Sequence, residues 1–238
     1  MLRSLMNATT LKTIALISMT IDHIGFFLLP SDSIIYLVCR MIGRIAFPIF
    51  AFMIAQGFLH TKNRRNYALR LFIFALIVEV IFIILYFYTS INYSIIPLGD
   101  GYAFSIAWTL LVGLIGLMVL NSKHKGLYIL LVPLVVLSYF LQYSFYGFLM
   151  ILLFGLKLSM DKKINYFNIL TLGFVFYPLL LGSDFTEVNT VQLFALAALG
   201  FIYLYNGEKG KGYRYMFYIY YPLHIVILFL IAYWFNFI

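Results

Sequence analysis

The feature that most constrains this chain is a succession of nine apolar runs. They lie at roughly 11–29, 34–59, 67–88, 103–120, 127–141, 143–158, 166–181, 190–206 and 214–236, with short polar loops between them. Most approach the ~20 apolar residues that cross a hydrocarbon core about 30 Å thick. Lipid offers no hydrogen-bond partner, so a spanning run is either a helix or a strand of a closed barrel. These runs are apolar on all sides and lack the period-two alternation of a barrel strand, which selects helices. Composition points the same way. Hydrophobic residues make up 64% of the chain and charged residues 10%, against about 45–50% and about 25% in soluble domains. A chain of 238 residues with a mean hydropathy of +1.01 has no core large enough to hide that surface, and it is far too apolar to be disordered. The expected architecture is all-α: a polytopic membrane helical bundle of about nine transmembrane helices (eight to ten). It forms a single integral membrane domain over 1–238, with no soluble domain left over.

Orientation follows from charge. Sixteen Lys and Arg against eight Asp and Glu give a net charge of +8. In a soluble protein a pI near 9.4 would suggest nucleic acid. Here the basic residues sit in short loops, and no nucleic-acid partner is expected. Arg3 and Lys12 precede or open the first span. Lys62, Arg64 and Arg65 follow the second, with Arg70 just inside the third. Lys123 and Lys125 follow the fourth, Lys157, Lys162 and Lys163 the sixth, and Lys209, Lys211 and Arg214 precede the ninth. Threading nine spans puts all of these on one side. The other side has no Lys or Arg but carries Asp32, Asp100, Asp184 and Glu187. The positive-inside rule then places the N-terminus in the cytoplasm and the C-terminus outside. Residues 127–158 read either as one helix about 48 Å long or as a hairpin turning near Gln142 to Ser144. The hairpin is preferred, because it keeps Lys123 and Lys163 on one face. The longest loop, 89–102, is external and contains Pro97, Gly99, Asp100 and Gly101. The first apolar stretch lacks a small-residue cleavage site and reads as a retained span. The single cysteine, Cys39, allows no intramolecular disulfide and no cysteine-based metal site, and no metal is expected.

Six ionisable residues remain inside the runs: Asp22, His23, Arg40, Arg44, Glu79 and His224. A charge at a helix centre costs about 2.5–3.5 kcal/mol on insertion scales, so these groups mark function or pairing. A rise of about 1.5 Å per residue places all but Arg40 near the midplane, and Arg40 lies one turn further out on the face of Arg44. The depths permit one polar centre built from the first, second, third and ninth spans. Bland readings stand beside this. Asp22 and Arg44 form a structural ion pair, His23 is a satisfied bundle histidine, and Glu79 neutralises Arg40 or Arg44. Asp22 and His23 are about 100° apart on a helix and do not face one partner together. Pro48 and Pro222 read as kinks, with Pro222 aiming His224. Arg70 reads first as a residue snorkelling to the surface. Asn206, Gly207, Gly210 and Gly212 form a glycine-rich basic turn. No soluble-enzyme signature is present: no phosphate-binding glycine loop, no H-E-x-x-H and no G-x-S-x-G.

Several stretches together resemble the TraX family, named for the acetylase of conjugative pilin. They are L-K-T-I-A-L-I-S-M-T-I-D-H-I-G (11–25), G-R-I-A-F-P-I-F-A-F (43–52), G-F-L-H-T-K-N (57–63), Y-A-L-R-L-F-I-F-A-L-I-V-E (67–79), Y-N-G-E-K-G (205–210) and F-Y-I-Y-Y-P-L-H (217–224). The D-H-x-G and G-R-x-A-F-P pieces carry most of the specificity. Where an acidic D-Y-G-like turn is expected, this chain has Gln142-Tyr143-Ser144, so Gln142 is no proton acceptor. The resemblance implies an acetyltransferase of the wider membrane acyltransferase superfamily, in a bacterial inner membrane. It implies acetyl-CoA as donor on the cytoplasmic side. The acceptor is an amine, such as a peptide or pilin-like N-terminus, or a hydroxyl of a glycan. On that reading His23 is the general base, with His224 as alternative or relay, and Asp22 or Glu79 orients the site. Arg44, helped by Arg40, stabilises the oxyanion. Arg64, Arg65, Arg70, Lys209 and Lys211 attract the donor's phosphates. Two other classes compete. A transporter or permease also wants midplane charges, but more typically shows internal repeats, and none is visible here. A non-catalytic assembly subunit would use the buried charges only for pairing.

Overall fold

The computed structural model describes residues 5–92, 104–180, 187–212 and 215–235. Arg3, Asp184, Arg214 and the Pro97, Gly99, Asp100 and Gly101 positions of the long loop lie outside them. Helices make up most of the described residues, which contain no strands beyond two isolated bridges. Among the described residues, four helical stretches are long and apolar enough to cross a membrane: Ala8–Leu28, Ile34–His60, Arg64–Leu85 and Met216–Trp234. The apolar helices of the other runs are shorter, for example Ile106–Leu120 and Ser144–Gly155.

The chain divides into two compact units, residues 1–53 with 157–237, and residues 54–156. The first opens with α1 (Ala8–Leu28). Asn7 starts it by accepting the Thr10 N–H on its side chain at 3.0 Å, which satisfies one of the free donors of a first turn. Extended backbone at Leu29, just before Pro30, stops it. Ser33 caps α2 (Ile34–Gly43) in the same way, accepting the Tyr36 N–H at 3.1 Å. The two helices pack as an antiparallel pair whose backbones approach through small residues. A Cβ on Gly25 would lie 2.6 Å from Cys39 Cβ. Ser18 Oγ donates to the Ile42 carbonyl at 2.5 Å.

The sequence predicts one span over 34–59, with a kink at Pro48. The structure breaks the helix at Arg44–Ile45, before α3 (Ala46–His60). Pro48 has no N–H to give the Arg44 carbonyl four residues back. The Arg44 and Ile45 N–H groups tighten instead onto the Met41 and Ile42 carbonyls, both at 3.2 Å. The first unit is completed by α8 (Met160–Leu180), α9 (Glu187–Leu193), α10 (Ala198–Tyr203) and α11 (Met216–Trp234). Its core sets Leu16, Met19 and Ala46 against Phe50, Phe217, Tyr220 and Tyr221.

The second unit holds the end of α3, then α4 (Arg64–Asn92), α5 (Ile106–Leu120), α6 (Leu131–Tyr139) and α7 (Ser144–Gly155). Residues 127–158 are thus two helices. The break falls at 140–143, where Tyr143 takes a left-handed conformation (φ 63°). Gln142 joins the structure through its backbone: its N–H donates to the Phe104 carbonyl at 3.1 Å, and its carbonyl accepts the Thr109 hydroxyl at 2.5 Å. On α4, Leu69, Ile73, Ile77, Val80, Ile84 and Phe87 fall three or four residues apart and are each 48–60% exposed, while Leu71, Ala75 and Val78 on other faces are buried. An unbroken, exposed apolar stripe of that length is a surface made for lipid.

Candidate active site

Adjacent positions on α1 supply two different contacts. Asp22 turns to α2, where its Oδ2 meets Arg40 Nη1 at 2.8 Å. His23, about 100° further round, turns to α11, where its Nδ1 lies 2.7 Å from His224 Nε2. The helical spacing that forbids a shared partner therefore places two contacts side by side on neighbouring faces of one helix, about 100° apart.

The ion pair is partly enclosed, with side chains 20% exposed for Arg40 and 16% for Asp22. The Arg40 guanidinium also sits over the rings of Phe26 and Tyr36, at 5.6 and 5.9 Å from their centroids, which favours a cation in a low-dielectric site. Sequence depth alone suggested Arg44 as the partner of Asp22. The structure gives the direct contact to Arg40, and Arg44 follows one turn on as the C-cap of α2, its charge still acting on Asp22. Gly43 makes the approach possible: a Cβ there would lie 2.3 Å from both Cβ and Cγ of Asp22.

The histidine pair is held from the α11 side. His224 is 6% exposed, and its Nδ1 donates to the Tyr220 carbonyl at 2.9 Å, one turn back. The Tyr220 ring stacks on it at 11° and 5.3 Å between centroids, and Tyr221 packs edge-on. The Tyr220 hydroxyl meets Thr20 Oγ1 at 2.7 Å. Thr20 already donates to the Leu16 carbonyl at 2.8 Å, so the tyrosine is the donor. That contact ties α11 to α1 one turn from His23. Neither Tyr220 nor Thr20 was singled out from the sequence. The signal was present in spacing, since Tyr220 is four residues before His224 and Thr20 three before His23, on the same helix faces.

Asp22, His23, Arg40 and His224 are thus brought together in the first unit. Glu79 belongs to the second. It is 6% exposed, and its Oε2 accepts the Ser105 backbone N–H at 3.1 Å, at the start of α5, where a carboxylate suits the helix dipole. Arg64, Arg65 and Arg70 are also in the second unit. Arg64 and Arg65 are exposed and Arg70 partly so. The Arg64 guanidinium lies 4.2 Å from the Phe58 ring centroid, and that of Arg70 5.9 Å from that of Tyr67.

Lys209 and Lys211 are exposed on the glycine turn of the first unit. This turn is built rather than loose. Met6 N–H donates to the Leu204 carbonyl and Asn206 N–H to the Met6 carbonyl, at 3.1 and 2.9 Å. Ala8 N–H donates to the Glu208 carbonyl at 2.8 Å, and the Thr9 hydroxyl to the Lys209 carbonyl at 3.1 Å. Gly207 and Gly210 take φ of 84° and 70°, a region open to glycine at little cost. The Y-N-G-E-K-G stretch therefore serves as a clamp on the N-terminal end of α1.

Fold and site together define a helical membrane protein with a polar centre of one ion pair and one histidine pair, built on its first helix. The family model described as "TraX protein" matches residues 7–232, and the chain belongs to the TraX family. A relative from Dichelobacter nodosus, named "Probable fimbrial assembly protein FimC, serogroup H1", is 29% identical over 240 residues, covering 93% of this chain and 94% of its own. A protein of Rickettsia prowazekii (strain Madrid E), named only as "Uncharacterized protein RP591", is 47% identical over 55 residues, 23% of this chain and 21% of its own. No solved structure matches. The apolar helices, with the family and the Dichelobacter relative, point to a bacterial membrane protein.

Proposed function

We propose that this protein is an acetyltransferase of the inner membrane, multi-pass with about nine spans, N-terminus cytoplasmic and C-terminus external. It moves an acetyl group from acetyl-CoA to an amine or hydroxyl acceptor. The observation that carries this reading is the 2.7 Å contact between His23 and His224 inside an apolar bundle. Acyl transfer needs a base that is neutral near pH 7, and imidazole is that base. His23 takes the proton of the acceptor as its nitrogen or oxygen attacks the thioester carbonyl. The tetrahedral oxyanion is met by the positive field of Arg44 and Arg40. Collapse breaks the C–S bond, and the proton leaves with the CoA sulfur. Asp22 fixes the Arg40 fork. In the first unit the exposed Lys209 and Lys211 attract the phosphates of the donor, and Arg64, Arg65 and Arg70 give the second unit basic groups that serve the same chemistry. The name of the Dichelobacter relative favours a pilin-like peptide N-terminus as acceptor over a glycan hydroxyl.

The same name supports a second reading, a fimbrial assembly subunit in which the buried charges only pair helices. One experiment separates the two. Purified protein in detergent is given isotope-labelled acetyl-CoA and a candidate pilin peptide, and the peptide is weighed by mass spectrometry. An acceptor-dependent gain of one acetyl group, lost in His23→Ala, is expected. Assembly function that survives an Asp22→Arg/Arg40→Asp exchange, with no acetyl gain, would favour the subunit.

A further inference from the structure

The hydrogen-bond chain around the two histidines assigns different jobs to the two rings. A backbone carbonyl accepts only, so the 2.9 Å contact from His224 Nδ1 to the Tyr220 carbonyl puts the proton of His224 on Nδ1. In the neutral ring Nε2 is then a bare lone pair. The 2.7 Å contact with His23 Nδ1 needs one proton between the two nitrogens, and it must come from His23. The ring geometry agrees. The centroids are 4.9 Å apart and the planes 25° from parallel, which matches two rings meeting nearly edge to edge, since an end-on bond of this length needs about 5 Å. A face-to-face stack would not place the two nitrogens in line. His23, protonated on Nδ1, is left with Nε2 as its lone pair. Among the described residues no hydrogen bond occupies that atom.

We propose that the Tyr220 carbonyl and His224 select the tautomer of His23 and so make His23 Nε2 the base, while His224 is the proton store behind it. The assignment rests on the acetyl-transfer reading of the site and deepens it. When the acceptor gives its proton to His23 Nε2, the proton on His23 Nδ1 passes to His224 Nε2. The positive charge moves onto His224, where the Tyr220 carbonyl accepts from its Nδ1–H. On collapse of the tetrahedral intermediate both shifts reverse. His23 Nε2–H protonates the departing CoA sulfur and Nδ1 regains its proton, leaving the pair as it began. Tyr220 is a positioning residue twice over. Its carbonyl fixes His224, and its hydroxyl on Thr20 holds α11 at the distance that the histidine contact requires. Asp22, with its partner Arg40, lies about 100° round α1 from His23.

The test reads the tautomer directly. Histidine is labelled with nitrogen-15 in the full-length protein in detergent, with His60→Gln and His124→Gln removing the two loop histidines. Nitrogen shifts report which ring atom carries the proton. His23 is expected with its proton on Nδ1 and a bare Nε2. His224→Gln keeps a carbonyl oxygen to accept from His23 Nδ1, so the tautomer persists. His224→Leu removes the acceptor, and His23 reverts toward the Nε2–H form that free neutral histidine prefers. Acetyl transfer is expected to fall by about 10²-fold in kcat for His224→Leu, with KM for acetyl-CoA unchanged, and His224→Gln should recover part of the loss. A wild-type His23 protonated on Nε2, or a His224→Leu variant with the wild-type tautomer and rate, would overturn the assignment. Absence of any acetyl transfer, with the tautomer as expected, would instead sink the enzymatic reading and leave the hydrogen-bond assignment standing.

Discussion

Replacing Gly43 by alanine probes the polar centre through its packing rather than its chemistry. A Cβ at that position would fall 2.2–2.3 Å from Oδ1, Cβ and Cγ of Asp22. The terminal oxygen can rotate away. The Asp22 Cβ cannot, because it moves only with α1. Restoring ordinary van der Waals contact requires α1 and α2 to part by about 1 Å, and a well-packed interior has no slack of that size. Overpacking of this kind costs about 1–3 kcal/mol. The same displacement opens the 2.8 Å Asp22–Arg40 contact beyond hydrogen-bond reach. A charge-assisted bond is worth about 1.5–3 kcal/mol when fully buried, and less here because both side chains keep some exposure. Alanine returns up to about 1 kcal/mol through helix propensity. The net loss is on the order of 1–3 kcal/mol, or an apparent Tm lower by about 3–10 °C for a chain of this size. Gly173→Ala is the control, since a Cβ there meets nothing within 4 Å, and its Tm should hold or rise slightly. Thermal unfolding of both variants in one detergent, followed by tryptophan fluorescence and by loss of acetyl transfer, measures the difference. If Gly43→Ala and Gly173→Ala melt together, Asp22 does not pack on α2 as described, and the reading of the site loses its scaffold.

Other outcomes can be checked in the same preparation. Removing one member of the ion pair, by Arg40→Leu or Asp22→Leu, should cost more than removing both together, because each single change strands a partly buried charge; a double-mutant cycle of Tm values shows this as a coupling of opposite sign to the single losses. Pro48→Ala returns an N–H to the Arg44 carbonyl and should straighten the Arg44–Ile45 break, leaving stability equal or higher while acetyl transfer falls; spin-label distances between α2 and α3 measure the bend. Gly210→Ala should loosen the clamp on α1, since φ is 70° there and a Cβ would lie 2.4 Å from Asn7 Oδ1; faster proteolysis between α10 and α11 is the readout. Gln142→Ala should change stability, measured by thermal unfolding, by less than about 0.5 kcal/mol, because Gln142 is held through its backbone.

The sequence by itself determined that this is a helical membrane protein and which ionisable residues lie within its apolar runs. It did so because lipid leaves a spanning backbone no partner but itself, so hydropathy and the 3.6-residue period are read locally. The break between α6 and α7 at 140–143 and the divergence of Asp22 from His23 were legible for that reason. Which groups meet is a different matter. Depth treats Arg40 and Arg44 as near equivalents, and only the crossing of α1 over α2, set by Gly43 lying flat on Asp22, gives the carboxylate to Arg40. Nothing local says that residues 23 and 224 touch, or that Glu79 spends an oxygen on the Ser105 amide. Those contacts depend on helix rotation and on which small residues let two backbones close, quantities that exist only once the helices have packed.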